Sequence, residues 1–294
     1  MKSFVFGALG LLGMTGSTAA SAAAAQPTVL KLEQFRRSVG VRVEIGGKDR
    51  LFQFDTGGGN TFMSPEIAKE IACEKGARVV GFRMAGDKLE APRCDDVPLT
   101  IGGHRFTIPT AGVYQVGEFN AKGVTVDGLL ALDIFEGRTI TMDFAGLKLI
   151  VETPQSAAKR IAGATELPAR LIREMGGYAI TIDIQVPSKM GHLGFEIDSG
   201  NGGTLLIAKP YAASFGFDPD KGPRMGSFPI GKGIVASGLV MPAGITLDGN
   251  LGMPFLKNYI VTLDLAKGRV WLKPNPVPAP AGMGVAPEAP KESK

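Results

Sequence analysis

Residues that could bind a metal ion, or act as a nucleophile beside a base, are scarce in this chain. Its 294 residues include two histidines and two cysteines. His104 lies in a predicted hairpin turn, IGGHRF, and His192 lies in another predicted loop. Metal centres and cysteine nucleophiles usually need several such groups close together. We therefore expect no metal site, no cofactor and no catalytic cysteine.

A long apolar run is also missing. Residues 4–14 are apolar, but they are too few to span a bilayer. The run follows Lys2 and precedes small residues with possible cleavage after Ala22 or Ala25, which is the order of a secretory signal. We expect residues 1–25 to be a signal peptide. The remaining protein is then expected to be exported, periplasmic or secreted, with no membrane partner.

Charge of one sign is not concentrated anywhere in the chain. The formal net charge is +4, and Lys and Arg are scattered without interleaved aromatic residues. This pattern argues against a nucleic-acid partner. With 44% hydrophobic and 20% charged residues, the chain can bury the core of one large or two modest domains. Residues 274–294 are rich in Pro and poor in large apolar residues, so we expect a disordered tail there.

The two cysteines, Cys73 and Cys94, lie in the first half of the chain. In an exported protein a disulfide bond is the default state for such a pair. It would stabilise the protein by about 3 kcal/mol for a loop of this length. Two free buried thiols are the alternative.

Two pairs of segments repeat within the chain in the same order. FQFDTGGGNT at 52–61 aligns with FEIDSGNGGT at 195–204, and the segment 126–146 aligns without gaps with 247–267. A strand pattern of alternating apolar residues precedes each Asp-Thr/Ser-Gly sequence. The chain therefore reads as a duplicated β unit.

The boundary between the units falls in a segment with Pro, Gly and a short amphipathic stretch. We predict a first lobe at 26–151, a linker at 152–176 and a second lobe at 177–273. Within the first lobe, Ser64 as N-cap and Pro65 at the first helical position predict a short helix that stops at Gly76.

The repeated Asp residues suggest a chemical role. If the units pack about a pseudo-twofold axis, Asp55 and Asp198 meet at that axis and share one proton. Such a pair can take a proton from water and donate one to a carbonyl oxygen. The alternative is that both residues only cap turns of a duplicated β fold.

Neighbouring residues would support this pair. Gly57 and Gly200 allow the backbones to approach, and the hydroxyls of Thr56 and Ser199 can form hydrogen bonds across the axis. Four other aspartates lie before Gly or near strand ends, where Asp usually caps turns; they are Asp127, Asp143, Asp248 and Asp264.

The sequence resembles the aspartic protease superfamily at the turns Asp55-Thr56-Gly57 and Asp198-Ser199-Gly200. It also resembles that superfamily at the downstream elements DGLLALDIF and DGNLGMPFL. The units look like retropepsin-like domains of bacterial exported proteins, and their arrangement in one chain is similar to pepsins. The resemblance implies a mostly β, bilobal, pepsin-like acid protease fold made of two retropepsin-like β units with short helices. It also implies that the downstream elements pass beneath the Asp turns and support them. Those elements are Leu129, Leu130 and Ala131, and Asn250, Leu251 and Gly252.

The resemblance also implies a flap. The interval from Asp55 to Asp127 is longer than that from Asp198 to Asp248, which leaves room for an extra hairpin in the first lobe. We assign this flap to residues 79–92. Its expected substrate-binding residues are Met84, Ala85, Gly86 and Asp87.

The function that follows is an aspartic endopeptidase, in which Asp55 and Asp198 activate water to hydrolyse a peptide or protein substrate bound in extended form. The expected protein is a monomer. Gly58 and Asn201 stand where the superfamily usually carries Ser or Ala, and Ala131 stands where it usually carries Gly. These departures favour an alternative, a non-catalytic exported peptide-binding protein. In a third possibility the first unit pairs with that of another chain and Asp198 has no role.

Overall fold

The computed structural model of the chain describes residues 25–73, 76–117 and 124–286. The expected signal peptide lies outside these residues, apart from Ala25. None of the helices in the described parts has the length and apolarity needed to cross a membrane.

Short strands dominate the described residues. Those of the first half are β1 (Thr28–Phe35), β2 (Ser38–Ile45), β3 (Lys48–Phe54), β4 (Phe62–Met63), β5 (Arg78–Phe82), β6 (Lys88–Ile101), β7 (His104–Val113), β8 (Gly128–Leu130), β9 (Thr139–Asp143) and β10 (Lys148–Val151). Those of the second half are β11 (Thr165–Leu167), β12 (Ala169–Glu174), β13 (Ala179–Ser188), β14 (Gly191–Ile197), β15 (Leu205–Ala208), β16 (Arg224–Gly231), β17 (Ile234–Ala243), β18 (Gly249–Leu251), β19 (Tyr259–Asp264) and β20 (Arg269–Pro274). The helices are α1 (Pro65–Glu70), α2 (Pro154–Ile161), α3 (Lys209–Ala212) and α4 (Met253–Leu256), with 3₁₀ helices at Leu132–Phe135, Met175–Gly177 and Ala213–Phe215.

The described strands form two sheets. The larger has the order β11-β20-β19-β9-β10-β1-β2-β3-β8-β4-β7-β6-β5, and the smaller has the order β12-β13-β14-β18-β15-β17-β16. Alternating apolar residues of these strands fill one extensive core that includes the fully buried Phe52, Phe54 and Phe195.

The same local topology occurs around both Asp turns. In the first half β3 is parallel to β8, β8 is antiparallel to β4, and β4 is parallel to β7. In the second half β14, β18, β15 and β17 repeat these three relations in the same order. The aligned sequence segments therefore occupy equivalent places in the two halves.

Equivalent residues of the two halves also meet each other. Strands β9 and β19 pair antiparallel with Thr141 opposite Thr262, and the two hydroxyls lie 2.9 Å apart. These threonines occupy matching positions in the sequence alignment. Direct pairing of matching positions is what a twofold relation between the halves requires.

Helix α1 begins as the sequence predicts and ends earlier. The Ser64 hydroxyl accepts a hydrogen bond from the Ile67 N–H, and Pro65 occupies the first turn. The helix ends at Glu70 and not at Gly76, because Ala72 adopts a left-handed conformation with φ of 52° that turns the chain.

The predicted disulfide bond is confirmed. Cys73 follows α1 and is bonded to Cys94 in β6, with 5.9 Å between their Cα atoms. The bond joins the end of α1 to the long strand that continues from the predicted flap.

The predicted linker, residues 152–176, is more ordered than its composition suggests. It contains α2, together with β11, which pairs with β20, and β12, which pairs with β13. The guanidinium of Arg269 binds the Glu166 carboxylate at 2.8 Å across the β11–β20 pair. These short strands form because the sheets offer unpaired edges, which the local sequence does not reveal.

The expectation of a disordered tail is wrong for its described part, which extends to residue 286. Met283 is 1% exposed and packs into the core. The Gly284 N–H donates to the Arg37 carbonyl at 2.8 Å, and the Lys257 ammonium donates to the Met283 carbonyl at 2.9 Å. One buried apolar side chain and these hydrogen bonds hold a segment that is otherwise poor in large apolar residues.

Candidate functional site

Each Asp turn follows directly from a buried strand and rests on the downstream element. Asp55 follows β3 and donates its N–H to the Leu130 carbonyl at 2.9 Å. Asp198 follows β14 and donates its N–H to the Leu251 carbonyl at 3.1 Å. The downstream elements therefore lie beside the Asp turns as expected of supports.

Hydroxyl groups connect the two turns across the junction. The Thr56 N–H donates to the Ser199 hydroxyl at 3.1 Å, and the Ser199 N–H donates to the Thr56 hydroxyl at 2.9 Å. Each hydroxyl then donates to the opposite half, that of Thr56 to the Ile197 carbonyl at 2.7 Å and that of Ser199 to the Phe54 carbonyl at 2.9 Å. Both residues are completely buried, so this reciprocal network fixes the turns relative to each other.

Glycine is required on both sides of the junction. A Cβ atom on Gly57 would lie 2.7 Å from the Asp198 Cγ, and one on Gly200 would lie 2.4 Å from the Asp55 Cγ. No side chain fits at either position without moving the opposite carboxyl. The two aspartates thus lie where the sequence predicted, each against the glycine of the other turn.

Asp55 and Asp198 line the same cavity. Burial raises the pKa of Asp55 well above its ordinary value, and the charge of Asp198 and a side-chain hydrogen bond with it raise this pKa further. The Gly57 N–H donates to Asp55 Oδ1 at 3.0 Å, which opposes this rise only in part. Asp55 is therefore suited to hold a proton between the two carboxyls.

Asp198 accepts N–H hydrogen bonds at both carboxyl oxygens. The Asn201 backbone donates to Oδ1 at 3.0 Å, and the Asn250 side-chain amide donates to Oδ2 at 2.7 Å. In the first half Leu129 occupies the position equivalent to Asn250. The surroundings of the two carboxyls therefore differ, although their backbones match.

The sequence interpretation treated Asn250 only as a support and missed its contact with Asp198. The alignment of the repeats contained a signal for this contact, because it places Asn250 opposite an apolar residue, Leu129. A polar side chain at such a buried position usually has a specific hydrogen-bond partner.

Two of the three departures from the superfamily pattern, Asn201 and Gly58, have different consequences. Asn201 is an integral part of its turn, since its Oδ1 accepts from the Thr204 N–H at 3.1 Å and its amide donates to Asn250 Oδ1 at 2.8 Å. Gly58 lies beside Asp55, where an added Cβ would be 3.3 Å from the Asp55 Cγ. This position therefore provides no hydroxyl to the first carboxyl.

Two further acidic residues near the site were missed by the sequence interpretation. Glu196 is 5% exposed and accepts a hydrogen bond from the Asn250 amide at 3.1 Å. Burial raises its pKa well above the ordinary value, and the charges of Asp198 and Asp183 add to this rise. Burial also raises the pKa of Asp183 to about 6. Glu196 precedes Asp198 by two residues, so its side chain lies on the same face of the strand.

The predicted flap is a β-hairpin of β5 and β6. Its turn is closed by hydrogen bonds from the Arg83 N–H to the Asp87 carbonyl and from the Gly86 N–H to the Arg83 carbonyl, both 2.8 Å. The tip crosses to the second half, where the Met84 carbonyl accepts from the Thr246 N–H at 2.9 Å and from its hydroxyl at 3.2 Å.

The four predicted flap residues do not lie in equivalent positions. Met84 lines the cavities on both sides of the tip. Ala85, Gly86 and Asp87 form the exposed turn.

Of the other repeated aspartates, Asp143 and Asp264 cap turns as predicted, whereas Asp127 and Asp248 bind the backbone of strands that are distant in the sequence. The carboxylates of Asp127 and Asp248 accept from the N–H groups of Leu51 and Gly194. Those of Asp143 and Asp264 accept from the N–H groups of Gly146 and Ala266. Within the described ranges no three His, Cys, Asp or Glu side chains form a group that could hold a metal ion.

A family model described as aspartyl protease matches residues 41–134, which contain Asp55 and the hairpin. Solved structures extend the comparison to most of the chain. Basic 7S globulin from soybean is similar with a TM-score of 0.56 and 12% identity, over 84% of this chain and 95% of the globulin. Conglutin gamma, a basic 7S globulin from lupine seeds, gives a TM-score of 0.54 and 10% identity, over 85% of this chain and 95% of its own.

The chain has a pepsin-like fold. This confirms the predicted fold class, and the family model relates residues 41–134 to aspartyl proteases. At 10% and 12% identity the globulins show the fold alone. No curated protein sequence matches the chain.

Proposed function

We propose that this protein is an aspartic endopeptidase that hydrolyses peptide bonds with water activated between Asp55 and Asp198. The observation that carries the proposal is the reciprocal packing of the two Asp turns, in which each carboxyl lies against the glycine of the other turn and both aspartates line one cavity. The match of the first half to the aspartyl protease model supports it. The proposal includes duplication of a retropepsin-like unit within one chain, since equivalent residues meet at the junction.

We propose different roles for the two carboxyls. Asp55 begins protonated, because its pKa is raised well above the ordinary value, and donates its proton to the carbonyl oxygen of the substrate. Asp198, held by two N–H donors, takes a proton from water, and the resulting hydroxide oxygen attacks the carbonyl carbon. Collapse of the tetrahedral intermediate breaks the C–N bond. Asp198 then gives its proton to the leaving nitrogen, and Asp55 recovers the proton from the hydroxyl.

The hairpin gives the substrate a backbone partner. An extended peptide can form hydrogen bonds with the β5–β6 edge above the carboxyls, as peptides do when they add to a sheet. Entry of a peptide requires release of the Met84 carbonyl from Thr246. We propose a monomer that is exported to an oxidising compartment, which the Cys73–Cys94 disulfide supports.

A non-catalytic peptide-binding protein is the second candidate. Gly58 favours it, because Asp55 lacks a hydroxyl from the position that usually supplies one. The two solved structures compared above also bear the names of globulins and not of proteases.

Cleavage of a broad peptide library, measured from pH 3 to 8, tests the proposal. Hydrolysis should peak at acidic to mildly acidic pH, because one carboxyl must be protonated and the other ionised. Asp55→Asn and Asp198→Asn should each abolish turnover and keep the fold and peptide binding. The matched control is Asp49→Asn, which changes an exposed carboxylate in the first half.

Two results would contradict the proposal. If Asp198→Asn cleaves as well as the unaltered protein, pairing between the first halves of two chains replaces the pair within one chain. If the unaltered protein binds peptides and cleaves none at any pH, the peptide-binding alternative is correct.

A further inference from the structure

One row of side chains crosses the smaller sheet on the face that lines the two cavities beneath the hairpin, which together form the cleft. Directly opposed residues of neighbouring strands lie on the same face of a sheet. In the smaller sheet this pairing links one residue from each of six strands. In spatial order these are Arg170, Asp183, Glu196, Asn250, Leu206 and Met241.

The chemistry of this row changes along its length. Asn250 is hydrogen-bonded to Asp198 and so marks the position of the two reactive carboxyls. On one side of it lie the carboxyls of Glu196 and Asp183. On the other side lie Leu206 and Met241, which are apolar. The two ends of the cleft therefore present different surfaces to a peptide.

Each end of the row opens into its own cavity beneath the hairpin. The cavity at the apolar end is lined by Leu206 and Met241 together with Phe62 and Tyr114. The cavity at the acidic end is lined by Asp183, Glu196 and Glu174, together with glycines and apolar residues of the first half and the hairpin.

The acidic cavity has no cation in its described lining. No Lys or Arg side chain lines it, and Arg170 lies behind Asp183 at the end of the row. The charge of Arg170 compensates the burial of Asp183 only in part, because the pKa of Asp183 stays raised. A cation entering the cavity would add to this compensation.

We propose that the acidic end of the cleft is a subsite for a Lys or Arg side chain of the peptide, with Asp183 and Glu196 as its acceptors. The opposite end takes an apolar side chain over Leu206 and Met241. The inference rests on the proposed function only in assuming that a peptide occupies the cleft.

The subsite should depend on pH. The pKa of Asp183, raised by burial to about 6, is lowered by the charge of Arg170 and raised by those of Asp248 and Glu174. Below this pKa the Asp183 carboxyl is neutral and attracts a cation weakly, and above it the carboxylate attracts a cation strongly.

Glu196 should strengthen the same trend. Burial and the charges of Asp198, Asp183 and Asp55 raise the pKa of Glu196, and the hydrogen bond from Asn250 lowers it. Since both acceptors hold protons more tightly than ordinary carboxyls do, preference for Lys should increase as the pH rises.

A peptide series measures this preference. An extended peptide with one Phe carries Lys, norleucine or Glu in turn at each of three positions on either side of the scissile bond. At one position kcat/KM at pH 7 should favour Lys over norleucine by about tenfold, the discrimination that 1.4 kcal/mol gives. The ratio should fall at pH 4.5. Dissociation constants of the same peptides with a reduced, uncleavable bond provide a second measurement.

Variants then assign the acceptors. Asp183→Asn should bring the Lys-to-norleucine ratio towards one, and Glu196→Gln should lower it. Asp220→Asn removes the same charge from an exposed site of the second half and should leave the ratio unchanged. If the Asp183 variant does not fold, the pH dependence of the ratio in the unaltered protein carries the test.

The outcomes separate this inference from the proposed function. Cleavage with no preference for Lys at any position overturns the subsite and leaves the endopeptidase. Binding without cleavage, with Lys favoured, overturns the endopeptidase and supports the subsite. A Lys preference that survives both variants overturns the assignment to Asp183 and Glu196, and failure to bind or cleave any peptide overturns both proposals.

Discussion

Asp133 is a buried carboxyl outside the Asp55–Asp198 pair, and its titration should affect the stability of the fold. Its Oδ2 accepts from the Thr61 N–H at 2.9 Å, and its Oδ1 is 2.5 Å from the Thr61 hydroxyl. Burial nevertheless raises the pKa of Asp133 to about 7. The folded state thus binds this proton more tightly than the unfolded state. The resulting stability is present below pH 4 and is lost as the pH rises to about 7.

Asp133→Asn tests this linkage. The amide keeps the shape of the protonated carboxyl and cannot ionise, so the variant should lose less stability between pH 4 and 7. The difference should reach up to about 4 kcal/mol, because each pKa unit corresponds to about 1.4 kcal/mol. Urea unfolding at four pH values measures it, with Asp49→Asn as control. Parallel curves for Asp133→Asn and the unaltered protein would show that Asp133 does not titrate in this range.

The glycines of the Asp turns provide a second test. Gly57→Ala places a Cβ 2.7 Å from the Asp198 Cγ, so the opposite carboxyl must move. We expect turnover to fall by about 100-fold, the cost that a displacement of about 1 Å can have, with a loss of about 1–3 kcal/mol in stability. Gly222→Ala is the matched control, because no atom lies within 4 Å of its added Cβ. Equal activity of both variants would show that the approach of the turns does not matter.

Local sequence predicted some site residues and could not predict others. Asp55 and Asp198 were found because the repeated segments contain them at matching positions. Glu196 and Asp183 lie on different strands and face the same cavity only because β13 and β14 pair in one particular register. That register depends on the packing of the whole sheet, which a single segment does not encode.

Among the elements, the hairpin of β5 and β6 depends on one covalent anchor. The Cys73–Cys94 disulfide joins β6 to the end of α1. Reduction should loosen the hairpin before the sheets unfold. Hydrogen exchange of the backbone amides at 78–92 should then accelerate more than that of the smaller sheet, which serves as the internal control. Equal acceleration in both regions would show that the bond stabilises the whole fold.

The distance along the chain between an element and its stabilising partners explains which element boundaries were mispredicted. The start of α1 follows from Ser64 and Pro65, which act within a few residues of each other. Strand β11 and the tail around Met283 are stabilised by distant partners, the edge of β20 and the core. Short segments of this kind take their structure from where they pack, so composition alone misjudged them.

For the whole molecule, the repeat predicted how the halves face each other, and it could not predict how they differ. Matching residues meet at the junction, namely Thr56 with Ser199 and Thr141 with Thr262. The first half has Leu129 where the second half has Asn250, and this difference makes the surroundings of the two carboxyls unequal. The proposed hydrolysis needs both an acid and a base, and this inequality is the basis on which we propose one role for each half.

The junction itself gives the last prediction. The Thr141 and Thr262 hydroxyls are buried and lie 2.9 Å apart. Thr141→Val leaves the Thr262 hydroxyl buried without this partner and should cost about 1–3 kcal/mol, as should Thr262→Val. The double variant removes both polar groups from the junction and should recover most of that loss. Urea unfolding of the four proteins forms a double-mutant cycle, and additive losses would show that the two hydroxyls do not interact across the junction.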